Sequence, residues 1–403
     1  MRVIKFGGSS LANAERILAS AQIVATASRT APVTVVLSAM AGVTDTLISL
    51  AEHALARNTA WHDISDMLEA RHRAIYTALA DTPTETFVRQ WDALLSDAEH
   101  LSALPQNTEP TTKAAAVARF SGWGERLIID PFVWALTHLG TPTRGLLTAP
   151  VLLASVDDSL PIPSILATRA YLAPRLAPMV ARGCVPVIPG YIAGDATGAL
   201  TTLGRNGSDY SAAVIAAALG ADSLVIYSDV SGIYTSDPNI VPEATLIHRL
   251  TYAEAAAIAS RGAKVLHHSA TEPLVRGRIP LYLRSSHLPD MPGTDIIPEP
   301  CGIRPSRWVI AAHPATNNTE SDITITFLPS WSPNSVSPSP DLTSLLVRFP
   351  HAAICEQPSS DAIFPTIHFR VPAHQAAETQ RAAHRTLTAF DCMAHEIMTP
   401  HQS

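Results

Sequence analysis

Residues 201–213 read Thr201-Thr202-Leu203-Gly204-Arg205-Asn206-Gly207-Ser208-Asp209-Tyr210-Ser211-Ala212-Ala213. A β-prone run ends at Gly204, and a helix-forming run opens at Ser208. Between them lie a permanent cation, two glycines, a hydroxyl and a carboxylate. The backbone N–H groups in a helix's first turn have no partner inside the helix, and the dipole there favours negative charge. Glycines let the main chain come close to an anion. A guanidinium such as that of Arg205 offers a planar fork that suits a carboxylate or phosphate. The stretch is a strand-to-helix loop suited to the charged end of a small anionic ligand.

Working outward, short β-branched runs alternate with longer helical patterns through the first three-quarters of the chain. Residues 2–6 and 33–37 read as buried strands, and strand-like runs return near 144–148, 185–188, 223–227 and 280–284. Apolar spacings of three and four predict helices over 11–27, 43–57, 166–182, 208–219, 252–260 and 265–276. The alternation implies an α/β fold with a mainly parallel sheet covered on both faces. Such sheets bind ligands at the carboxyl ends of their strands. Residues 61–140, rich in Ala, Leu and charge, read as a helical insertion or lid. Prolines crowd residues 289–306, read here as a linker, and again 329–340, read as a loop able to be disordered. Around that loop, Ile323–Phe327 alternates like a half-buried strand, Phe364–Val371 gives another, and 373–389 forms an amphipathic helix. The end of the chain is therefore a small α+β module.

At 403 residues the chain has room for two domains. A net charge of −7 without any Lys/Arg-rich block argues against nucleic acid as a partner. No segment approaches the roughly 18 apolar residues of a membrane span, and no apolar signal region precedes the first strand. Four cysteines lie far apart with no C-x-x-C pair, which fits buried thiols in a reducing, cytoplasmic compartment. His267 and His268 are adjacent and point apart, so no protein-built metal site is expected.

Further strand-end loops carry candidate chemistry. Lys5-Phe6-Gly7-Gly8-Ser9-Ser10 places a cation at a strand end beside two glycines, which can hold a polyphosphate. A Gly-Gly turn with a surface Lys is the alternative. Ser38-Ala39-Met40-Ala41-Gly42-Val43-Thr44-Asp45 suits a ligand pocket, and equally an ordinary helix start capped by Thr44 or Asp45. In Ser121-Gly122-Trp123-Gly124-Glu125-Arg126, Glu125 can hold an ammonium group or merely favour a helix dipole. Ser228-Asp229-Val230-Ser231-Gly232-Ile233-Tyr234-Thr235-Ser236-Asp237-Pro238 offers an aromatic for adenine and carboxylates for ribose, or an Asp/Gly/Pro-rich turn. Lys264 is a further phosphate partner or a solvated helix-start residue. The Lys5, Ser38, Arg205 and Ser228 loops all fall at strand ends of what reads as one sheet, which turns alone explain poorly.

Taken together, Lys5–Ser10, Ser38–Asp45, Gly124–Arg126, Pro189–Gly194, Thr201–Ala213, Ser228–Pro238 and Gly262–His267 resemble the aspartate kinases of the amino acid kinase family. The wording of Leu203–Asp209 is similar to the kinase part of bifunctional aspartate kinase–homoserine dehydrogenases. The resemblance implies a three-layer αβα sandwich around an eight-stranded, mainly parallel sheet over 1–297, and an ACT-like regulatory and dimerisation region over 298–403. It implies phosphorylation of the L-aspartate side-chain carboxylate by ATP with Mg²⁺, in a homodimer. By the same resemblance Lys5 neutralises the transferring phosphoryl, Gly7 and Gly8 donate backbone N–H groups, and Asp209 orients Lys5. Arg205 clamps the α-carboxylate with Ser38, Thr44 and Ser208. Glu125 pairs with the α-ammonium, Tyr191 walls the pocket where the family often has Phe, and Ser228, Asp229, Tyr234, Asp237 and Lys264 hold the nucleotide. Asn239 departs from the family's usual Arg and removes a phosphate contact. A kinase for another small amino acid carboxylate and a non-catalytic regulatory relative are the alternatives.

Overall fold

The computed structural model describes residues 1–80, 82–155, 162–194, 199–259, 268–298, 307–314, 320–328, 353–356 and 366–398. It divides into two compact units, one of residues 1–231 with 269–292, the other of 232–268 with 293–403. The expected eight-stranded, mostly parallel sheet is there. Six of its strands belong to the first unit, in the order Leu281–Ser285, Ser223–Ser228, Arg2–Phe6, Val33–Leu37, Val185–Pro189, Thr143–Gly145, every neighbour parallel.

Arg2–Phe6 is central because, after the exposed Arg2, its residues are apolar on both faces except for Lys5. Ile4 and Phe6 point to one side, joining Ile17 of the Ala14–Ser28 helix and Phe132 of the Ile129–His138 helix in a single core. Phe6 lies 5.8 Å from Phe132 and 5.2 Å from Tyr227 between ring centroids. Alternation sends Lys5 to the opposite side, toward the Gly207–Leu219 helix. Beyond its polar first turn that helix is almost wholly apolar, and Ala212 to Ala216 are all buried. Helices thus cover both faces, as the sandwich requires.

The insertion is helical as read: Ala60–Ala80, Glu85–Ala103, Pro110–Ser121, Trp123–Leu127 and Ile129–His138. Tyr76, Phe87 and Trp91 stack its first two helices together. A second, smaller sheet of short strands, Ile162–Pro163, Val151–Ser155, Ile192–Gly194 and Leu200–Thr202, lies outside the sequence reading except for its last member. Val43–Leu55 begins after Gly42, whose φ of 78° places the turn there; neither Thr44 nor Asp45 is the cap.

In the second unit, Arg249–Thr251 pairs in parallel with Thr294–Ile297. The latter strand falls inside the proline-rich segment read as a linker, where Thr294 and Ile296 are fully buried. A four-stranded antiparallel sheet follows, in the order Arg307–Pro314, Glu320–Leu328, Thr366–Pro372, Ala353–Glu356. Its inner face, Trp308, Ile310, Ile323, Ile325 and Val371, packs on Ala383 and Leu387 of the Ala376–Met398 helix. The 329–340 loop lies outside the described residues. Among the described residues no helix is long and apolar enough to cross a membrane.

Candidate active site

Three strand ends and one helix start build the site. Lys5, only 7 % exposed, leaves the middle of the sheet, and its Nζ lies 2.6 Å from Asp209 Oδ1. Asp209 stands in the first turn of the Gly207–Leu219 helix, where the dipole favours a carboxylate. Oδ1 accepts no aligned hydrogen bond, so the pair is a charge contact that leaves directed N–H groups on Lys5 for a ligand. The loop ahead of the helix is bent sharply: Gly204 has φ 71° and Asn206, its N-cap, has φ 56°. Arg205 sits exposed on that bend, and among the described residues it has neither an ion pair nor a hydrogen bond.

Gly190 explains why the loops can meet. A Cβ on it would come within 2.9 Å of Ser208 Cβ and 3.1 Å of Leu37 O. Only glycine lets the end of Val185–Pro189 touch both the helix start and the neighbouring strand. Its N–H donates to Leu37 O at 2.7 Å. Tyr191 follows in the left-handed region, φ 59°, an uncommon conformation for a residue with a side chain. Three contacts hold it there: its N–H donates to Ser211 Oγ, its carbonyl accepts from Leu203 N, and its hydroxyl lies 3.1 Å from Ser121 Oγ. Because Ser121 Oγ already donates to Ala118 O, the tyrosine hydroxyl is the donor in that last contact.

Glu125 is 3 % exposed, and its Oε2 has no hydrogen-bond partner. Burial pushes its carboxyl up to about 8, against the opposing pull of the Ala39 backbone, Lys5 and Ser208. A buried, half-satisfied carboxyl is unfavourable unless something cationic arrives. Gly124 brings Glu125 in, since a Cβ there would lie 2.7 Å from Ala39 Cβ. Ser38 is half-buried at the end of Val33–Leu37, its N–H donating to Phe6 O at 3.1 Å. Thr44 is half-buried in the first turn of the next helix.

Gly7 N–H donates to Tyr227 O at 3.0 Å, so it is already engaged and is not the free phosphate donor that the resemblance implied, and Gly8 O accepts from Ala41 N at 3.1 Å. Ser228 ends its strand in a tight turn, with Oγ donating to Val230 O, and Asp229 is exposed beside it. Sequence reasoning overlooked Ser10 and Ser286, which tie these loops together. Ser10 Oγ and Ser286 Oγ lie 2.7 Å apart, Arg16 Nη2 donates to Ser286 Oγ at 3.0 Å, and Ser286 N–H donates to Ser228 O at 2.8 Å. The signal was present, since Ser285-Ser286 follows a strand end as Ser38 and Ser228 do. The structure therefore brings together Lys5, Asp209, Glu125 and Ser208 directly.

Tyr234 and Asp237 belong to the second unit. Tyr234 bridges to Leu246, and Asp237 Oδ1 accepts from both the backbone N–H and the Nδ2 of Asn239, at 2.9 and 3.0 Å. Asn239 is thus folded back on its own turn. Lys264 lies outside the described residues.

Comparison with known proteins follows the same lines. A model of the amino acid kinase family matches residues 1–285. A bifunctional aspartokinase/homoserine dehydrogenase of Haemophilus influenzae is 34% identical over 310 residues, covering 73% of this chain and 36% of that protein. The lysine-sensitive aspartokinase 3 of Escherichia coli is 34% identical over 292 residues, 72% of this chain and 63% of that protein. The chain thus spans about one to two thirds of the length of the curated relatives it matches. A structure of E. coli aspartokinase III with lysine and aspartate superposes with a TM-score of 0.77 at 25% identity, over 96% of this chain and 99% of that one. One with aspartate and ADP gives 0.78 at 24%, a likeness of fold.

Proposed function

The chain belongs to the amino acid kinase family, and we propose that it transfers the γ-phosphoryl group of ATP to the side-chain carboxylate of L-aspartate, giving 4-phospho-L-aspartate and ADP. The observation that carries this reading is the Lys5–Asp209 contact at a strand end, with Glu125 buried and half-satisfied beside it. Both reactants are anions, so the work of such a site is positioning and charge neutralisation. The attacking carboxylate is ionised at neutral pH and needs no general base.

In this scheme Lys5, aimed by Asp209, meets the charge that spreads over the transferring phosphoryl oxygens. Gly7 and Gly8 keep the adjoining main chain free of side chains, and Ser228 with Asp229 contact the nucleotide. Arg205, free on its bend, takes the α-carboxylate with Ser38, Thr44 and Ser208. Glu125 gives up its proton and pairs with the α-ammonium group, while Tyr191 forms the wall. Among the described residues no three His, Cys, Asp or Glu side chains cluster, and Asp209 is committed to Lys5. That donor set suits Mg²⁺ arriving on the nucleotide, held by phosphate oxygens and water, where it offsets phosphate charge. Cytoplasmic location rests on the sequence reading, and the homodimer on the resemblance. The roles of Tyr234, Asp237 and Lys264 toward the nucleotide rest on the sequence reading and the family resemblance, as does the reading of 298–403 as an ACT-like region after a 1–297 catalytic domain. The antiparallel sheet and Ala376–Met398 helix are of the kind such a region needs.

One assay tests the proposal. The protein is incubated with MgATP, hydroxylamine and a panel of amino acids, and acyl hydroxamate is measured. Product with aspartate alone supports it. Product with another acid instead moves the substrate, and silence across the panel leaves a non-catalytic relative.

A further inference from the structure

Away from the site, the first unit carries an open cleft of about 680 Å³ at the edge of the main sheet. Its floor is the edge strand Thr143–Gly145 with Leu146 and Leu147, and one wall is the last turns of the Ile165–Val180 helix. Leu146, Leu147, Pro178 and Met179 make most of the lining apolar. Around it stand three guanidinium groups, Arg144, Arg175 and Arg182, and among the described residues the lining holds no Asp or Glu. All three are exposed, and among the described residues none forms an ion pair. Three unpaired cations with no acid between them are unexpected on a chain whose net charge is −7.

The arrangement is held in place rather than left to solvent. Arg175 lies over the Tyr171 ring, its Cζ 3.8 Å from the centroid, and donates to Tyr171 O at 2.7 Å. The Tyr171 hydroxyl donates to Thr148 Oγ1 at 2.9 Å, joining helix to floor. A stacked guanidinium keeps its outer N–H groups directed and loses little freedom on binding. The volume is that of an ordinary small-molecule site. None of these residues has a part in the kinase scheme.

We propose that this cleft binds a small organic phosphate with a flat apolar body. The phosphate would sit among Arg144, Arg175 and Arg182, whose forks match its terminal oxygens. The flat body would lie along Leu146, Leu147 and Met179. Cys184 lines the same cleft as a half-buried free thiol and supplies a local reporter.

Phenyl phosphate serves as the probe, on the full chain at low salt. Iodoacetamide labelling of Cys184, followed by peptide mass spectrometry, is expected to slow about tenfold at saturation, with inorganic phosphate protecting far less. The double variant Arg144→Gln/Arg182→Gln changes only exposed side chains, so it should keep the melting temperature and lose the protection. Protection should persist in Lys5→Met, which separates this cleft from the phosphate site of the kinase reading. The proposal is overturned if phenyl phosphate leaves Cys184 labelling unchanged, if inorganic phosphate protects equally, if the double variant stays protected, or if Lys5→Met abolishes protection.

Discussion

The two units satisfy their charged groups in different ways. In the second, Arg370 lays two N–H groups on Asp322, Nε to Oδ1 at 2.7 Å and Nη2 to Oδ2 at 3.0 Å, so both carboxylate oxygens are engaged. Elsewhere in that unit Gln380 Nε2 donates to Ser236 Oγ and Thr235 Oγ1 meets His384 Nε2, while Gln380 Oε1 is buried without a partner. In the first, Glu125 is more deeply buried, yet one of its oxygens has no partner. Asp209 meets Lys5 by a single charge contact there. Folding alone favours the paired arrangement of Arg370 and Asp322, because an unpaired buried charge is costly. The arrangement at Glu125 is sensible only where a ligand brings the missing partner. Among the described residues, the buried carboxylate oxygens without a hydrogen-bond partner, those of Glu125 and Asp209, fall at the proposed site, although ring and guanidinium nitrogens of His72 and Arg126 also lack partners.

That contrast can be broken by substitution. Lys5→Met should lower kcat by about 100- to 1000-fold, the range seen when one preorganised donor is removed from a developing charge. Steady-state hydroxamate formation reads it directly. Arg205→Ala should raise KM for aspartate some 10- to 100-fold with a smaller change in kcat, because a charge-assisted clamp acts before and during transfer. Glu125→Gln should raise that KM about tenfold and flatten its pH dependence. In the wild type, burial pushes the Glu125 carboxyl up to about 8, so its ionised fraction grows and aspartate KM should fall as pH rises from 6.5 to 8.5. For stability the sign is reversed. The folded carboxyl titrates near 8 and the unfolded one near 4.5, so the native state loses stability as pH rises between them. The Gln variant should melt at least as high as wild type at pH 8.5, with the difference shrinking toward pH 5. Arg370→Gln is the control from the other unit. Its pair is part-exposed, so the loss should be about 1 kcal/mol or less in thermal unfolding, with kcat unchanged. Arg370 holds the Asp322 carboxyl below its ordinary value, so even this small contribution should fade in acid.

Much of this was legible in the sequence, for identifiable reasons. Arg2–Phe6 and Val33–Leu37 are continuous apolar runs, and the 201–213 stretch punctuates a strand and a helix with two glycines. Lys5, Asp209 and Glu125 are all candidates in the sequence, Lys5 and Glu125 each beside a bland reading, and it is the joint occurrence of the strand-end loops that favours a site. The deep burial of Glu125 is not legible, since a first-turn glutamate ordinarily faces solvent and nothing local reports that Gly124 pulls it inward. The small sheet escaped because strands of two to five residues are too short to show a period. Thr294–Ile297 was hidden by its proline neighbours, although alternate residues are buried. The left-handed turn at Tyr191 follows from contacts with Ser211, Leu203 and Ser121, none adjacent in sequence. The arginine cleft draws on residues 144 to 184, a spread with no motif.

The central claim is that Lys5 and Asp209 act as one device for neutralising transferred charge. A double-mutant cycle on hydroxamate turnover, using Lys5→Met, Asp209→Asn and both together, tests it most directly. The account predicts that the double variant is about as slow as Lys5→Met alone, because Asp209 works through the lysine it aims. Losses that simply multiply would mean the two residues act independently, and would contradict it.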